Sequence, residues 1–155
     1  MNKLDEADIR YLRKAIELSR VAKTKGNGPY GAVLVGADGQ VLAEAENNQV
    51  TDRDPTGHAE MNLVRLAGRR FDAQTLAGAT LYASAEPCAM CAGAVFWSGV
   101  KRLVYALGSA RNYALLPPGD ELRMGCREVI GRGGRTVEVV GPALEDEAAR
   151  VFGDG

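Results

Sequence analysis

The stretch TLYASAEPCAMCAGA, residues 80–94, contains a strand pattern followed by a helix pattern. Residues 80–84 carry the β-branched and aromatic side chains of a strand, and Pro87 precedes a mostly apolar segment, 88–98, that we predict to be a helix. Cys88 and Cys91 stand three residues apart, so they share one face of a helical turn and both sulfurs can reach one ion. A helix N-terminus also favours thiolate over thiol.

Outward from this stretch, the chain alternates between helical and strand patterns. Further helices are predicted at 5–24, 57–70 and 143–152, and further strands at 32–35, 41–45, 102–106 and 136–140. Residues 107–134 show no clear period until 127–130. This order predicts an α/β layer fold with a five-stranded mixed sheet, a hairpin first and helical crossovers after it.

Composition narrows the class of protein. The 155 residues are 46% hydrophobic and 25% charged, which suits one domain, residues 1–155, and argues against a disordered or collagen-like chain. No uncharged apolar run approaches the roughly 20 residues of a membrane span, and the start lacks a signal-peptide pattern. Three cysteines are an odd number, which favours a reducing compartment. We therefore expect a cytoplasmic protein that does not act in a membrane.

Charge is unevenly distributed along the chain. Residues 1–25 and 101–135 have a basic excess, whereas residues 26–100 and 136–155 have an acidic excess, and the net charge is −1. Neither basic segment contains the dense stripe that nucleic-acid binders usually show. The C-terminal segment is acidic, with Glu145, Asp146 and Glu147 adjacent. This pattern favours a small-molecule partner over tRNA, although the two basic segments could still converge into one face.

A second motif, His58-Ala59-Glu60, opens the second predicted helix. Zinc takes Cys and His ligands, and three protein ligands leave a fourth position for water. Glu60 lies about 200° around an ideal helix from His58, so both face one site only if the site lies beyond the helix N-terminus. A carboxylate there can accept the proton of the water and pass it to a leaving amine.

Two other interpretations of the cysteines remain open. Cys88 and Cys91 could form a thioredoxin-like redox pair, but that chemistry leaves His58 and Glu60 without a role. Cys126 could instead complete a closed structural zinc site, which leaves Glu60 unexplained. A small buried side chain is the simpler interpretation of Cys126.

The pairing of His-x-Glu with Pro-Cys-x-x-Cys is the known signature of the zinc deaminases. On these motifs the chain resembles the cytidine deaminase-like superfamily, within it the branch of bacterial guanine deaminases and tRNA adenosine deaminases. The resemblance extends over residues 28–35, 54–60 and 80–94. It implies a three-layer α/β/α sandwich around the five-stranded mixed sheet.

The resemblance also implies roles for individual residues. His58, Cys88 and Cys91 would bind Zn²⁺, and Glu60 would transfer protons. Asn47 and the Ala59 backbone N–H would contact the base, with Tyr30 as the aromatic residue often found in guanine-deaminase-like members. For Asn47, a turn residue that satisfies its own loop is the alternative.

The expected function is hydrolytic deamination of a nucleobase or nucleoside, with guanine as the first candidate. A tRNA adenosine deaminase is the alternative, and residues 136–152 resemble the end of that group more than the guanine-deaminase tail. A zinc-stabilised binding module without turnover is the non-enzymatic alternative. The resemblance also implies a homodimer, with the helix 88–98 as interface; its residues Met90, Phe96 and Trp97 are core or interface residues.

Overall fold

The computed structural model describes residues 4–119 and 121–153, so both ends of the predicted domain, 1–3 and 154–155, lie outside the described residues. The helices are α1 (Glu6–Thr24), α2 (Ala59–Arg70), α3 (Ala73–Ala77), α4 (Ala89–Ser98), α5 (Ser109–Ala114), α6 (Cys126–Gly131) and α7 (Glu145–Gly153). The strands are β1 (Gly31–Val35), β2 (Val41–Glu46), β3 (Thr80–Ala85), β4 (Arg102–Leu107) and β5 (Glu138–Val140).

The strands form one mixed sheet in the order β2-β1-β3-β4-β5. β1 is antiparallel to both β2 and β3, whereas β3, β4 and β5 are parallel to one another. β1, β3 and nearly all of β4 are buried, because helices cover both faces of the sheet. The predicted five-stranded mixed sheet is confirmed.

Two hydrophobic clusters show the three layers. On one face, Leu12 of α1 and Val151 of α7 pack with Val33 and Val104 of the sheet. On the other face, side chains of α2, α4 and α6 pack with the alternate residues of the same strands, namely Leu63, Val95, Ile130, Leu34 and Leu103. Successive side chains of β1 point to opposite faces of the sheet, so β1 contributes residues to both clusters. The predicted α/β/α sandwich is confirmed.

Several element boundaries differ from the sequence prediction. α2 and α4 begin one or two residues later than predicted, because His58 and Cys88 are extended and act as N-caps. α7 begins at Glu145, since Leu144 has φ +56°, outside the right-handed helical region. α3 was not predicted, and the unassigned stretch 107–134 contains the two short helices α5 and α6.

Candidate metal centre and base pocket

The candidate residues lie just beyond the ends of strands, at one edge of the sheet. Gly31 at the start of β1 pairs with Glu46 at the end of β2, and Ala85 at the end of β3 pairs with Leu107 at the end of β4. The residues beyond these ends therefore meet at one edge: Tyr30, Asn47, Cys88 and Ser109. The carboxyl edge of parallel strands is where α/β folds place their ligands.

His58, Cys88 and Cys91 form a compact group of donor atoms. The Cys88 and Cys91 sulfurs lie 3.6 and 3.4 Å from His58 Nδ1, and all three donor atoms lie within 4.8 Å of one another. The two N-cap positions, His58 and Cys88, project from the helix starts toward each other. The site thus lies beyond the N-terminus of α2, as the spacing of His58 and Glu60 requires.

The geometry of this group fits zinc. Zn–N bonds of about 2.1 Å and Zn–S bonds of about 2.3 Å at tetrahedral angles place nitrogen and sulfur about 3.6 Å apart. Without a metal the two cysteines share a hydrogen bond: the Cys88 sulfur accepts it, which lowers the pKa of Cys88 to about 4, and Cys91 donates it, which raises the pKa of Cys91. The thiolate, rather than the thiol, is the form of cysteine that binds a metal ion.

Cys126 does not join this group. Among the described residues, the metal-competent group contains His58, Cys88 and Cys91 alone. Cys126 is fully buried at the N-terminus of α6, where its backbone N–H donates to the Glu86 carboxylate at 2.9 Å. His58, Cys88 and Cys91 would therefore hold the metal, and Cys126 is not placed to complete a closed structural site.

Glu60 lies in the first turn of α2, beside the donor group. Its side chain is buried, with 7% of the residue exposed, and it lines the cavity that the donor atoms face. Burial raises the pKa of the Glu60 carboxyl to about 7. A carboxyl with a pKa near neutrality can both accept and donate a proton at physiological pH, which suits general acid–base work.

A cavity of about 440 Å³ opens over the metal group and Glu60. Tyr30, Asn112, Leu116 and Leu122 are among the side chains of its walls. The lining surface is mainly apolar, and its polar side chains include Asn47, Gln49 and Asn112. A volume of several hundred cubic ångströms is typical of small-molecule sites.

Comparison with known proteins identifies the family. The family described as "Cytidine and deoxycytidylate deaminase zinc-binding region" matches residues 5–107. A probable cytosine deaminase of Schizosaccharomyces pombe is 40% identical over 148 residues, which cover 94% of this chain and 90% of the relative. The chain belongs to the cytidine and deoxycytidylate deaminase family. It is a zinc-dependent hydrolytic deaminase, as the motifs predicted.

Other relatives of the deaminase differ in their named substrates. The tRNA-specific adenosine deaminase of Haemophilus influenzae is 37% identical over 110 residues, 71% of this chain and 64% of the relative. The solved structure of a guanine deaminase from Nitrosomonas europaea superposes with a TM-score of 0.82 at 28% identity, covering 97% of this chain and 85% of that one.

Asn47 of the deaminase lies in the cavity wall and is 1% exposed. Its side-chain amide is partly engaged within its own loop: Nδ2 donates to Gln49 Oε1 at 2.8 Å, and Oδ1 accepts from the Gln49 backbone N–H at 3.0 Å. The loop role foreseen as the alternative is therefore present. It leaves one N–H and one oxygen lone pair of the amide for a ligand.

Tyr30 lines the cavity, whereas Ala59 is buried between two lining residues, His58 and Glu60, and does not line the cavity itself. The Tyr30 hydroxyl donates to Asn112 Oδ1 at 2.9 Å, and its ring packs edge-on against Phe152 of α7 with centroids 5.9 Å apart. Burial raises the pKa of Tyr30 to about 12, so its hydroxyl stays protonated at neutral pH. Ala59 is the first residue of α2, where helices leave backbone N–H groups unpaired.

Sequence reasoning missed three residues of the pocket. Gln49 and Asn112 both line the cavity, yet neither belongs to a motif or a periodic segment. Glu86 directly precedes the Pro-Cys-x-x-Cys motif, and the motif itself assigns it no role. Its carboxylate accepts hydrogen bonds from the backbone N–H groups of Ser109 at 3.1 Å and Cys126 at 2.9 Å. The position of this glutamate next to the motif is the sequence signal that could have pointed to it.

Proposed function

We propose that this deaminase acts on a free purine base, with guanine as the first candidate, and releases ammonia. The observation that carries the choice of a small base is the lining of the cavity. No lysine or arginine lines it among the described residues, whereas two carboxylates, Glu60 and Glu86, do. A nucleic-acid substrate brings phosphates that need cationic partners, and a neutral base does not.

A basic side chain in a neighbouring cavity does not weaken this choice. Arg123 lies in an adjoining cavity that shares Tyr113 and Leu122 with the base pocket. Its Nε donates to Glu121 Oε2 at 2.7 Å, so its charge is compensated within the chain. The similarity to a structurally characterised guanine deaminase supports guanine as the first base to test.

We propose the following roles for the site residues. His58, Cys88 and Cys91 hold the zinc ion, which when bound acidifies a water molecule for attack on the base. Glu60 accepts a proton from the attacking water and delivers one to the departing amine. Asn47 and the Ala59 N–H orient the base. Tyr30 forms part of the cavity wall and is held there by its hydrogen bond to Asn112.

Two accompanying proposals concern the state of the protein in the cell. Trp97 on α4 is 83% exposed, and a large exposed aromatic residue is typical of an interface, so we propose a homodimer through this helix. Sedimentation of the wild type and Trp97→Gln tests it. The cysteines form no disulfide with one another and are odd in number, so we propose a cytoplasmic location. Among the described helices, none is long and apolar enough to cross a bilayer.

Ammonia release from a panel of substrates tests the proposed function. The panel contains guanine, cytosine, guanosine, adenosine and a tRNA anticodon stem-loop, each with zinc-loaded protein. We expect turnover of guanine, with kcat/KM nearly unchanged between about 50 and 200 mM salt, where phosphate binders lose most affinity. Inosine in the stem-loop without activity on any small substrate would show a tRNA deaminase. No ammonia from any substrate would show a binding module without turnover.

A further inference from the structure

A chain of hydrogen bonds runs from the backbone of the loop 47–57 to the amide of Asn47. Gln49 Nε2 donates to the Pro55 carbonyl at 3.2 Å, and Gln49 Oε1 accepts from Asn47 Nδ2 at 2.8 Å. The Gln49 backbone N–H donates to Asn47 Oδ1 at 3.0 Å. Gln49 therefore contacts both ends of the Asn47 amide.

We propose that Gln49 is a positioning residue that fixes which atom of the Asn47 amide faces the base. The inference rests on the proposed role of Asn47 as a base contact. It adds a side chain that, together with the Gln49 backbone N–H, holds the Asn47 amide in one orientation. An amide rotated by 180° presents an oxygen where it had an N–H₂ group, and a base acceptor at that position would meet another acceptor.

The two ends of the chain of hydrogen bonds remove this ambiguity. A backbone N–H can only donate, so the atom of Asn47 that meets the Gln49 N–H must be the oxygen. A backbone carbonyl can only accept, so the atom of Gln49 that meets the Pro55 carbonyl must be the nitrogen. The orientation of each side-chain amide is therefore set by a backbone group that can only donate or can only accept a hydrogen bond. One N–H and one lone pair of Asn47 remain for the ligand.

The loop keeps its shape through other contacts, so the Gln49 side chain can be tested without collapsing it. Asn27 Oδ1 accepts from the backbone N–H groups of Val50 at 3.0 Å and Thr51 at 3.1 Å. The Asn48 N–H donates to the Gly57 carbonyl at 2.9 Å. These contacts hold the loop on both sides of Gln49. A change confined to its side chain should leave the backbone in place.

A double-mutant cycle of Gln49→Leu and Asn47→Ala tests the inference. The dissociation constant of 8-azaguanine, a guanine analogue, is measured by calorimetry, and KM and kcat are measured with guanine. We expect Gln49→Leu to raise the dissociation constant and KM about tenfold, the size of a misplaced hydrogen bond, with a much smaller change in kcat. In the Asn47→Ala background, Gln49→Leu should have no further effect.

Gln49→Glu and Gln40→Leu complete the design. A glutamate can accept from Asn47 but cannot donate to Pro55, so Gln49→Glu should fall between the wild type and Gln49→Leu. Gln40→Leu makes the same change in an exposed residue between β1 and β2 and should leave binding unchanged. Urea unfolding of each variant shows whether a loss of affinity reflects a loss of fold.

The outcomes separate this inference from the proposed function. Additive effects of the two substitutions, or unchanged binding in Gln49→Leu while Asn47→Ala binds weakly, would overturn the positioning role alone. Unchanged binding in Asn47→Ala would overturn the base contact and the inference together. Failure of the wild type to bind 8-azaguanine would remove the purine substrate and, with it, the inference.

Discussion

Glu60 is the residue on which the proposed chemistry depends, because it is buried, lines the base cavity and ligates nothing in the proposed centre. Glu60→Gln keeps the shape of the side chain and removes its ability to transfer protons. We expect kcat to fall by about 10² to 10⁴ while zinc content and unfolding stability stay near those of the wild type. Steady-state kinetics and metal analysis on the same preparation check this.

Glu17→Gln, in an exposed glutamate of α1, provides the matched control and should leave kcat unchanged. Near-normal turnover in Glu60→Gln would refute the proton-transfer role. Loss of zinc from Glu60→Gln would instead show that Glu60 is a ligand.

Cys126 separates a catalytic zinc centre from a structural one. Cys126→Ser should retain one zinc ion per chain, because Cys126 lies outside the donor group and contacts Glu86 through its backbone. The buried side chain faces the Glu86 carboxylate, which can accept from the serine hydroxyl, so the free energy of unfolding should fall by at most about 1–3 kcal/mol. Cys91→Ser, by contrast, should lose zinc. Zinc loss from Cys126→Ser would support a four-ligand site.

Motif residues could be predicted from the sequence because their chemistry depends on short spacings. His58, Cys88, Cys91 and Glu60 lie within helix-start motifs, where two or three residues of separation determine which side chains meet. Gln49 could not be found in this way. Its role depends on how the loop 47–57 folds back on Asn47, and no periodic pattern encodes that path.

At the level of elements, Glu86 joins the metal motif to the far wall of the pocket. It lies between β3 and α4, and its carboxylate accepts from the first residues of α5 and α6, Ser109 and Cys126. α5 carries Asn112, which in turn holds Tyr30. The placement of the pocket wall therefore depends on one carboxylate with two acceptor oxygens.

Glu86→Gln tests this arrangement. A glutamine offers one acceptor oxygen, so one of the two backbone N–H groups then faces an N–H₂ group. We expect a loss of about 1–3 kcal/mol in the free energy of unfolding and a higher KM, since the wall carrying Asn112 is less well held. Urea unfolding and kinetics measure both. Glu128→Gln, at an exposed position on α6, should change neither; an unchanged Glu86→Gln would refute the role.

The long elements could be predicted from periodicity, and the short ones could not. α1 spans 19 residues and begins at a capping box of Asp5 and Asp8, which gives a strong signal. α5 and α6 have six residues each, less than two turns, and their N-caps, Gly108 and Gly125, make no side-chain cap hydrogen bond. Their positions depend on Glu86, a contact distant in sequence.

Across the whole molecule, some residues of the two basic segments pair with the acidic C-terminal helix. Glu147 of α7 accepts from Arg13 of α1 at 2.9 Å, and Asp146 pairs with Arg111 of α5 at 2.8 Å. Residues of the two basic segments thus pair with the acidic C-terminal helix. The acidic C-terminal helix therefore packs against basic side chains of the same chain. Its charge is no longer an argument against a tRNA substrate, and that argument rests on the lining of the pocket.

A buried ion pair connects α1 to the sheet and makes stability depend on pH. Arg102 of β4 donates to both carboxylate oxygens of Asp8, at 2.6 and 2.8 Å, and the Tyr82 hydroxyl donates to Oδ1 at 2.6 Å. Burial alone would raise the pKa of Asp8, but these hydrogen bonds outweigh it and lower the pKa to about 2.

Because the folded-state pKa of Asp8 is below the unfolded value of 3.8, unfolding takes up a proton in acid. The Asp8 contribution is complete above about pH 4 and is lost as pH falls toward 2. The difference in free energy of unfolding between the wild type and Asp8→Asn should therefore narrow by up to about 2 kcal/mol between pH 5 and 2.5. Urea unfolding at both pH values measures it; a difference that does not change with pH would contradict this.

Zinc titration of metal-stripped protein, followed by ammonia release from guanine, tests the central claim most directly. The claim is that His58, Cys88 and Cys91 hold one zinc ion that serves deamination of a free base. We predict no ammonia without zinc, a linear rise as zinc is added, and a break at one equivalent per chain. Ammonia release that does not depend on zinc, or zinc-loaded protein that forms inosine in a tRNA stem-loop and no ammonia from guanine, would contradict the account.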